Sequence, residues 1–217
     1  MQKQTLTSHT CLGLLALGPR SAYDLVVGYK RTFGQISTRS DASIYNEPKR
    51  LVEAGLATVI HEQRGRRTVA VYIITDAGVE ALREWLGTPA GFPRLEVEPV
   101  VRVVFSDFGT PDEVRQVVEE FREEAVARAT YFRDITEEYL AGETEYIERA
   151  HVPTTGGRFV ALIIEAYLEW CDWALEMIAT WEGGDEERRD LAIAELRRWA
   201  EVGDLWQAAG IDPPRNL

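Results

Sequence analysis

The sequence predicts a mainly helical protein in two parts, a small helical domain with one β-hairpin and an all-helical domain after it. Apolar residues recur at helical spacing in both parts. One β-rich stretch with a basic turn, "HEQRGRRTVAVYIIT" at 61–75, lies in the first part. The segment "GTPAGFPRL" at 87–95 places two prolines and two glycines between the parts. We therefore expect one domain over residues 1–90 and a second over residues 91–217.

Charge divides the chain near the same place. The whole chain has a formal net charge of -12, but residues 1–87 hold 11 Lys and Arg against 8 Asp and Glu, a net charge of +3, which leaves -15 for the rest. A polyanion could approach the first part and would be repelled by the second. An excess of +3 is small, so charge alone leaves a polyanion partner undecided.

Four helices and one hairpin are predicted in the first domain. We expect helices over 7–17, from Ser21 to Gly34, over 40–54 and over 75–86. Ser21 and Asp24 have the spacing of a capping box, and Gly55 suits the end of the third helix. The fourth helix should turn four residues inward: Val79, Leu82, Trp85 and Leu86. The hairpin should pair Val59–His61 with Val69–Ile74 around a turn at Arg64-Gly65.

Helices followed by a two-stranded ribbon with a basic tip indicate a winged helix-turn-helix, the ribbon being its wing. Arg64, Arg66 and Arg67 surround the turn. Arginine suits contact with DNA phosphate, because its planar guanidinium binds phosphate through two hydrogen bonds and stays charged. Such contacts release counterions and supply affinity that does not depend on sequence. A solvated hairpin tip is the alternative for the arginines alone, but their position after a helix-turn-helix pattern favours DNA.

These residues resemble the PadR family of transcriptional regulators. The resemblance is carried by "LGLLALGPRSAYDLV" (12–26), "SIYNEPKRLVEAGLAT" (43–58) and "VYIITDAGVEALREWL" (71–86), and it covers most of residues 11–87. Beyond residue 95 the similarity is one of architecture only. The resemblance implies a homodimer that binds a palindromic DNA operator and usually represses transcription, with the third helix as recognition helix.

The resemblance also implies which residues contact DNA. These are Ser40, Ser43, Tyr45, Asn46 and Lys49 at the recognition helix, with Arg64, Arg66 and Arg67 on the wing. Tyr45 could instead pack against the second helix, and Lys49 could lie on a solvated face. Pro48 departs from the family pattern, which has leucine there. Proline inside a helix costs roughly 3 kcal/mol, so the recognition helix either kinks at Pro48 or begins its regular part there.

The second domain is predicted to be helical throughout. Residues 96–108 are rich in valine, which favours a strand, but their apolar spacing and the resemblance favour a helix. Residues 110–113 combine a cap, a proline and a capping-box glutamate, and should begin a long amphipathic helix. A helix over about 155–181 is apolar on most of its circumference, and a last helix follows over about 185–208. We expect the 155–181 helix at the centre of a symmetric dimer interface, with burial inside one subunit as the alternative.

Trp170, Trp173 and Trp181 are candidates for binding a flat aromatic effector, although tryptophans at helical spacing more often pack in a core. We find no metal-ligand spacing among the histidines, no nucleotide-binding motif and no activated nucleophile, so we expect no cofactor, no metal, no catalytic residue and no enzyme. The two distant cysteines and the short apolar runs favour a cytoplasmic protein. The alternative function is a ligand-sensing or protein-interaction module that has the same fold and does not bind DNA.

Overall fold

The computed structural model describes residues 4–37, 39–144, 147–181 and 183–208. It confirms a mainly helical chain with a small antiparallel sheet near its start. The chain forms two compact units: Met1–Leu95 with Ile135–His151, and Glu96–Asp134 with Val152–Leu217. No helix of the described ranges is long and apolar enough to cross a membrane.

The first unit begins with four helices and a three-stranded sheet. In chain order these elements are α1 (Leu6–Ala16), β1 (Arg20–Ser21), α2 (Ala22–Phe33), α3 (Asp41–Glu53), β2 (Ala57–Arg64), β3 (Arg67–Ile74) and α4 (Asp76–Leu86). The predicted capping box at Ser21 is confirmed, since the Ser21 hydroxyl accepts from the Asp24 amide and the Asp24 carboxylate accepts from the Ser21 amide. The end of α3 is also confirmed, because Gly55 follows it with a φ of 74°, which glycine adopts without strain.

Three strands form the sheet, in the order β1-β3-β2. The predicted hairpin is formed by β2 and β3, but its strands are longer than expected and its turn is shifted. Arg64 pairs with Arg67, so the turn is Gly65-Arg66 and the predicted Arg64-Gly65 turn is wrong. Gly65 supplies the φ of 64° that the reversal needs. The strand β1 escapes prediction, because two residues carry no periodicity.

The recognition helix predicted from the sequence is α3, and it runs unbroken through Pro48. The alternative that its regular part begins at Pro48 is therefore wrong. Pro48 lies on the buried side with Ile44 and Leu51, so the proline ring fills core space while its missing N–H removes one helical hydrogen bond. The core of this unit joins α1, α2 and α3 through fully buried side chains: Cys11, Leu12, Leu15, Leu25, Ile44 and Leu51. Leu86, predicted to point inward, is 69% exposed.

In the second unit, residues 98–104 form α5 (Glu98–Val104), so the helix predicted there is confirmed against the strand alternative. Next comes α6 (Pro111–Leu140), whose last residues belong to the first unit. Its predicted capping box is confirmed, because the Thr110 amide donates to the Glu113 carboxylate at 2.8 Å and the Glu113 amide donates to the Thr110 hydroxyl at 3.3 Å.

The last two helices are α7 (His151–Ala179) and α8 (Asp185–Ala208). The start of α7 lies earlier than predicted, so that Gly156 and Gly157 lie inside the helix. One stripe of α7 packs against the first turns of α6, in a core of Val114, Val118, Cys171, Ala174 and Ile178. On its other apolar stripe, Phe159 and Leu162 remain about half exposed.

Candidate nucleic-acid interface

One face of α3 is open to solvent and carries the candidate residues of this helix. Ser43, Tyr45, Asn46 and Lys49 are all exposed, as is Ser40 just before the helix. The opposite face is buried through Ile44, Glu47, Pro48 and Leu51. This division follows from the helical repeat, since residues three and four positions apart lie on the same side.

The side chains on this face differ in how much of their hydrogen-bonding capacity is already used. The Ser40 hydroxyl caps α3 by accepting from the Ser43 amide at 3.3 Å. The Asn46 amide group donates to the Ala42 carbonyl at 2.9 Å. Tyr45 is 50% exposed, so it is not buried against α2. Burial raises the pKa of the Tyr72 phenol, and the nearby Tyr45 raises it further.

Besides its apolar packing, α3 makes a polar contact with each of the helices α2 and α1. On the surface, the Lys30 ammonium of α2 pairs with the Asp41 carboxylate at 2.8 Å. In the interior, the Ser8 hydroxyl of α1 donates to the Glu47 carboxylate at 2.5 Å, and Glu47 is only 4% exposed. A buried carboxylate without a partner is strongly unfavourable. The Ser8–Glu47 hydrogen bond therefore favours the one packing of α3 on α1 in which the two side chains meet.

The three wing arginines are all exposed, but the structure separates them into two kinds. Arg64 pairs with Asp24 of α2, with 3.2 Å between its Nη1 and the Asp24 Oδ2, and approaches Glu62 at 3.9 Å. Among the residues described, Arg66 and Arg67 have no ion-pair partner. The end of the hairpin therefore presents two unneutralised guanidinium groups.

Sequence reasoning missed three residues of this region. Arg39 is exposed immediately before the α3 cap, and its place beside Ser40 was the available signal. The role of Glu47 carried no signal, because a glutamate in a helix is ordinarily solvated. Asp24 is predicted as a capping residue, but its contact with Arg64 joins positions 40 residues apart.

The candidate effector residues lie in the second unit. Trp170, Trp173 and Trp181 are partly buried and pack against the α6–α7 core. Trp170 meets the Phe121 ring edge-on, with 6.0 Å between the ring centroids. Trp181 also lines an open cavity of about 330 Å³, together with Ser106, Asp107, Gly109, Pro111 and Arg188. Within the described ranges, no three His, Cys, Asp or Glu side chains are grouped so as to hold a metal ion.

Comparison with known proteins gives matches in both parts of the chain. The family described as "Virulence activator alpha C-term" matches residues 98–179. The negative transcriptional regulator PadR of Bacillus subtilis (strain 168) is 33% identical over 79 residues, which are 36% of this chain and 43% of that protein. The match thus spans less than half the length of this curated relative.

Solved structures match over most of the chain. PadR of Bacillus subtilis in complex with operator DNA has a TM-score of 0.66 at 22% identity, over 80% of this chain and 99% of that one. The same protein with p-coumaric acid gives a TM-score of 0.58 at 21% identity, over 82% and 99%. The PadR-like regulator BC1756 of Bacillus cereus gives 0.67 at 21% identity, and the Vibrio cholerae virulence activator AphA gives 0.62 at 23%, each over 80% of this chain and 98% of the other. At these identities the structures establish the likeness of fold.

Proposed function

Because this chain belongs to the PadR family of transcriptional regulators, which is not a family of enzymes, we propose that it is a homodimeric DNA-binding repressor released by a small-molecule effector. The proposed DNA-binding domain covers residues 1–90 and the proposed dimerisation and effector domain covers residues 91–217. A regulator of transcription acts on the chromosome, so the proposed compartment is the cytoplasm.

The observation that carries the proposal is the juxtaposition, within the first unit, of an exposed helix face and a cationic wing. The face of α3 offers Tyr45, Asn46 and Lys49 to base edges or phosphates. The wing offers Arg66 and Arg67, whose charges no acidic side chain of the described chain neutralises. A relative has been crystallised with operator DNA, which supports DNA as the polyanion.

Dimerisation is proposed because the second unit leaves apolar side chains uncovered. Phe105 and Val104 near the end of α5 are 61% and 65% exposed, and Trp199 on α8 is 57% exposed. Covering such residues with a second copy of the chain removes apolar surface from water. The dimer would then hold two α3 helices about 34 Å apart, one turn of the duplex, which suits a palindromic operator.

The proposed effector is a small aromatic molecule that binds in the second domain near Trp170, Trp173 and Trp181. The crystal structure of a relative with p-coumaric acid supports this chemistry, and the open cavity beside Trp181 provides space next to one aromatic ring. Such a ligand releases DNA if it binds more tightly to a dimer whose recognition helices have the wrong spacing.

The wing assignment is tested by replacing Arg66 and Arg67 with alanine and measuring affinity for the DNA upstream of the protein's own gene at several salt concentrations. We expect weaker binding and a shallower slope of log K against log salt, by about 0.9 for each phosphate that the variant no longer neutralises. Arg83→Ala is the matched control, because Arg83 is an exposed arginine of α4 that pairs with Glu80. An unchanged slope in the double variant would show that the wing does not touch DNA.

The net charge of -12 favours one alternative, a ligand-sensing or protein-interaction module that does not bind DNA. Under that alternative the unmodified protein would not bind any duplex even at low salt, where electrostatic attraction is strongest.

A further inference from the structure

We propose that Arg64 is a positioning residue, which anchors the wing through Asp24 and leaves phosphate contact to Arg66 and Arg67. The inference rests on the proposed DNA-binding function, and it assigns different roles to three arginines that look equivalent in the sequence. It also gives Asp24 a second task beside capping α2.

The anchor begins with a carboxylate held in a fixed position. Oδ2 of Asp24 accepts from the Ser21 amide at 3.1 Å, and the Asp24 amide donates to the Ser21 hydroxyl at 3.1 Å. Ser21 belongs to β1 and pairs with Val71 of β3, so the carboxylate is tied both to α2 and to the sheet. Burial alone would raise the pKa of the Asp24 carboxyl, but the hydrogen bonds from Ser21 and Arg64 outweigh it and hold the pKa below its ordinary value.

The anchor ends at the tip of the hairpin. Arg64 is the last residue of β2, directly before the turn, and its Nη1 lies 3.2 Å from Oδ2 of Asp24. Every residue of β2 beyond Ala57 is exposed, and β3 is exposed over its first two residues. A two-stranded ribbon that is exposed on both faces has little packing to fix its direction. The Arg64–Asp24 pair therefore connects the exposed tip of the hairpin to α2, where few other side chains pack against the ribbon.

This arrangement favours Arg66 and Arg67 over Arg64 for contact with phosphate. The charge of Arg64 is already balanced by Asp24, which accepts from its Nη1, so a phosphate gains less attraction from Arg64 than from an unpaired arginine. Arg66 lies in the turn and Arg67 is the first residue of β3, so both are adjacent to the anchored position and need not break a pair. Asp24 could affect DNA binding in two opposite ways. If it competes with phosphate for Arg64, its removal should strengthen DNA binding. If it anchors the wing, its removal should weaken DNA binding.

The binding experiment compares Asp24→Asn, Arg64→Ala and the double variant on the same operator. We expect each single change to lower affinity about two- to fivefold, the range of an exposed ion pair, with no change in salt slope. The double variant should be no weaker than the weaker single, since both remove one interaction. Arg66→Ala should instead make the slope shallower.

Two control variants separate the anchor from other effects of changing Asp24. Ser21→Ala removes a hydroxyl of the capping box and keeps the Arg64–Asp24 pair. Glu62→Gln removes an equal negative charge from the wing, at 3.9 Å from Arg64 but without a close hydrogen bond to it, so it measures how much the removal of a nearby carboxylate that is not the anchor raises affinity. Higher affinity in Asp24→Asn than in Glu62→Gln, or a slope in Arg64→Ala as shallow as in Arg66→Ala, would overturn the inference.

A second measurement needs no DNA. By NMR, the pKa of the Asp24 carboxyl should rise in Arg64→Ala and stay constant in Arg66→Ala, and the Gly65 amide should become more mobile in Asp24→Asn. A Gly65 amide that stays equally ordered would refute the anchor. If the unmodified protein binds no duplex, the proposed function fails, and the anchor is still judged by this measurement.

Discussion

Glu47 joins the exposed helix α3 to the interior through a buried polar contact. Its carboxylate is buried between α1 and α3, with the Ser8 hydroxyl on one oxygen at 2.5 Å and the Arg50 guanidinium 3.8 Å from the other. Burial and, to a smaller extent, the negative charge of Glu47 raise the pKa of the Cys11 thiol to about 12. A charged group in this position is tolerated only while its partners remain.

Replacement of Ser8 by alanine tests that dependence. We expect Ser8→Ala to lower the free energy of unfolding by about 1–3 kcal/mol, because it leaves a buried acceptor of Glu47 unpaired and also removes the hydroxyl that accepts from the Thr5 amide in the capping box of α1. Ser43→Ala is the control, since Ser43 is an exposed serine of α3 and its replacement should change stability by no more than about 0.5 kcal/mol. Urea denaturation measures both, and equal effects would mean that the Ser8–Glu47 contact contributes nothing.

His9 makes stability depend on pH. Its ring stacks on Trp85 with 4.6 Å between centroids, and burial lowers its pKa, against a smaller opposite effect of the Thr5 backbone. Between that lowered pKa and the ordinary value of 6.5, the unfolded chain binds more protons than the folded one. The free energy of unfolding should therefore be highest above about pH 6.5 and fall as the pH drops below it.

The variant His9→Gln should lose this part of the pH dependence, because glutamine does not titrate. Denaturation at pH 8 and at pH 5.5 checks it, with the unmodified protein losing more stability between the two than the variant. The same loss in both proteins would mean that His9 is not the titrating group.

At the scale of the elements, α4 packs tightly through Gly78 against Leu56, the residue between α3 and β2. A Cβ on Gly78 would lie 2.1 Å from the Leu56 carbonyl oxygen and 2.8 Å from Cγ1 of Ile74. The Leu56 carbonyl cannot move freely, because it accepts from the Thr75 amide at 3.1 Å. Glycine at this position is therefore required by the approach of two backbones, not by the conformation of α4.

Two glycine-to-alanine changes should consequently have opposite signs. Gly78→Ala should lower the free energy of unfolding by about 1–3 kcal/mol or more through overpacking. Gly13→Ala in α1, where a Cβ meets nothing within 4 Å, should raise it by roughly 0.5–1 kcal/mol, since alanine favours the helix. Thermal or urea unfolding measures the change in the free energy of unfolding in each variant. Two changes of the same sign would contradict the packing described for Gly78 and Gly13.

At the scale of the whole molecule, the exposed apolar residues of α8 indicate a surface for contact with a second copy of the chain. None of its side chains within the described part is buried, and its apolar residues are 37–57% exposed: Leu191, Ile193, Leu196 and Trp199. Ile193, Leu196 and Trp199 follow one another at steps of three and so share one side of the helix. Isolated helices are marginal in water, so α8 needs a surface to pack on, which we propose a second copy of the chain provides.

The double variant Leu196→Glu with Trp199→Glu should therefore be monomeric by analytical ultracentrifugation. Its affinity for a palindromic operator should fall about a hundredfold or more, because the two half-sites are no longer bound by linked domains. Arg198→Glu replaces a positive charge by a negative one on a neighbouring side of α8, the same total change in charge as in the double variant, and should remain dimeric. A dimeric double variant would place the interface elsewhere.

The amino-acid sequence by itself determined the order and caps of the helices and the existence of the hairpin. The reason is that these features depend on neighbours: Ser21 and Asp24 cap α2 across three positions, Thr110 and Glu113 do the same for α6, and Gly55 ends α3. The exposed face of α3 follows from the same local periodicity, so the placement of Tyr45 and Lys49 toward solvent could be anticipated.

Only the tertiary structure decided which polar groups meet. The pairing of β1 with β3, the burial of Glu47 against Ser8 and the contact of Arg64 with Asp24 each join residues about 40 or more positions apart. Such contacts leave no periodic trace, because folding brings their members together through the packing of other residues. The three wing arginines are therefore alike in the sequence, and they differ only once the folded chain has placed one of them beside a carboxylate.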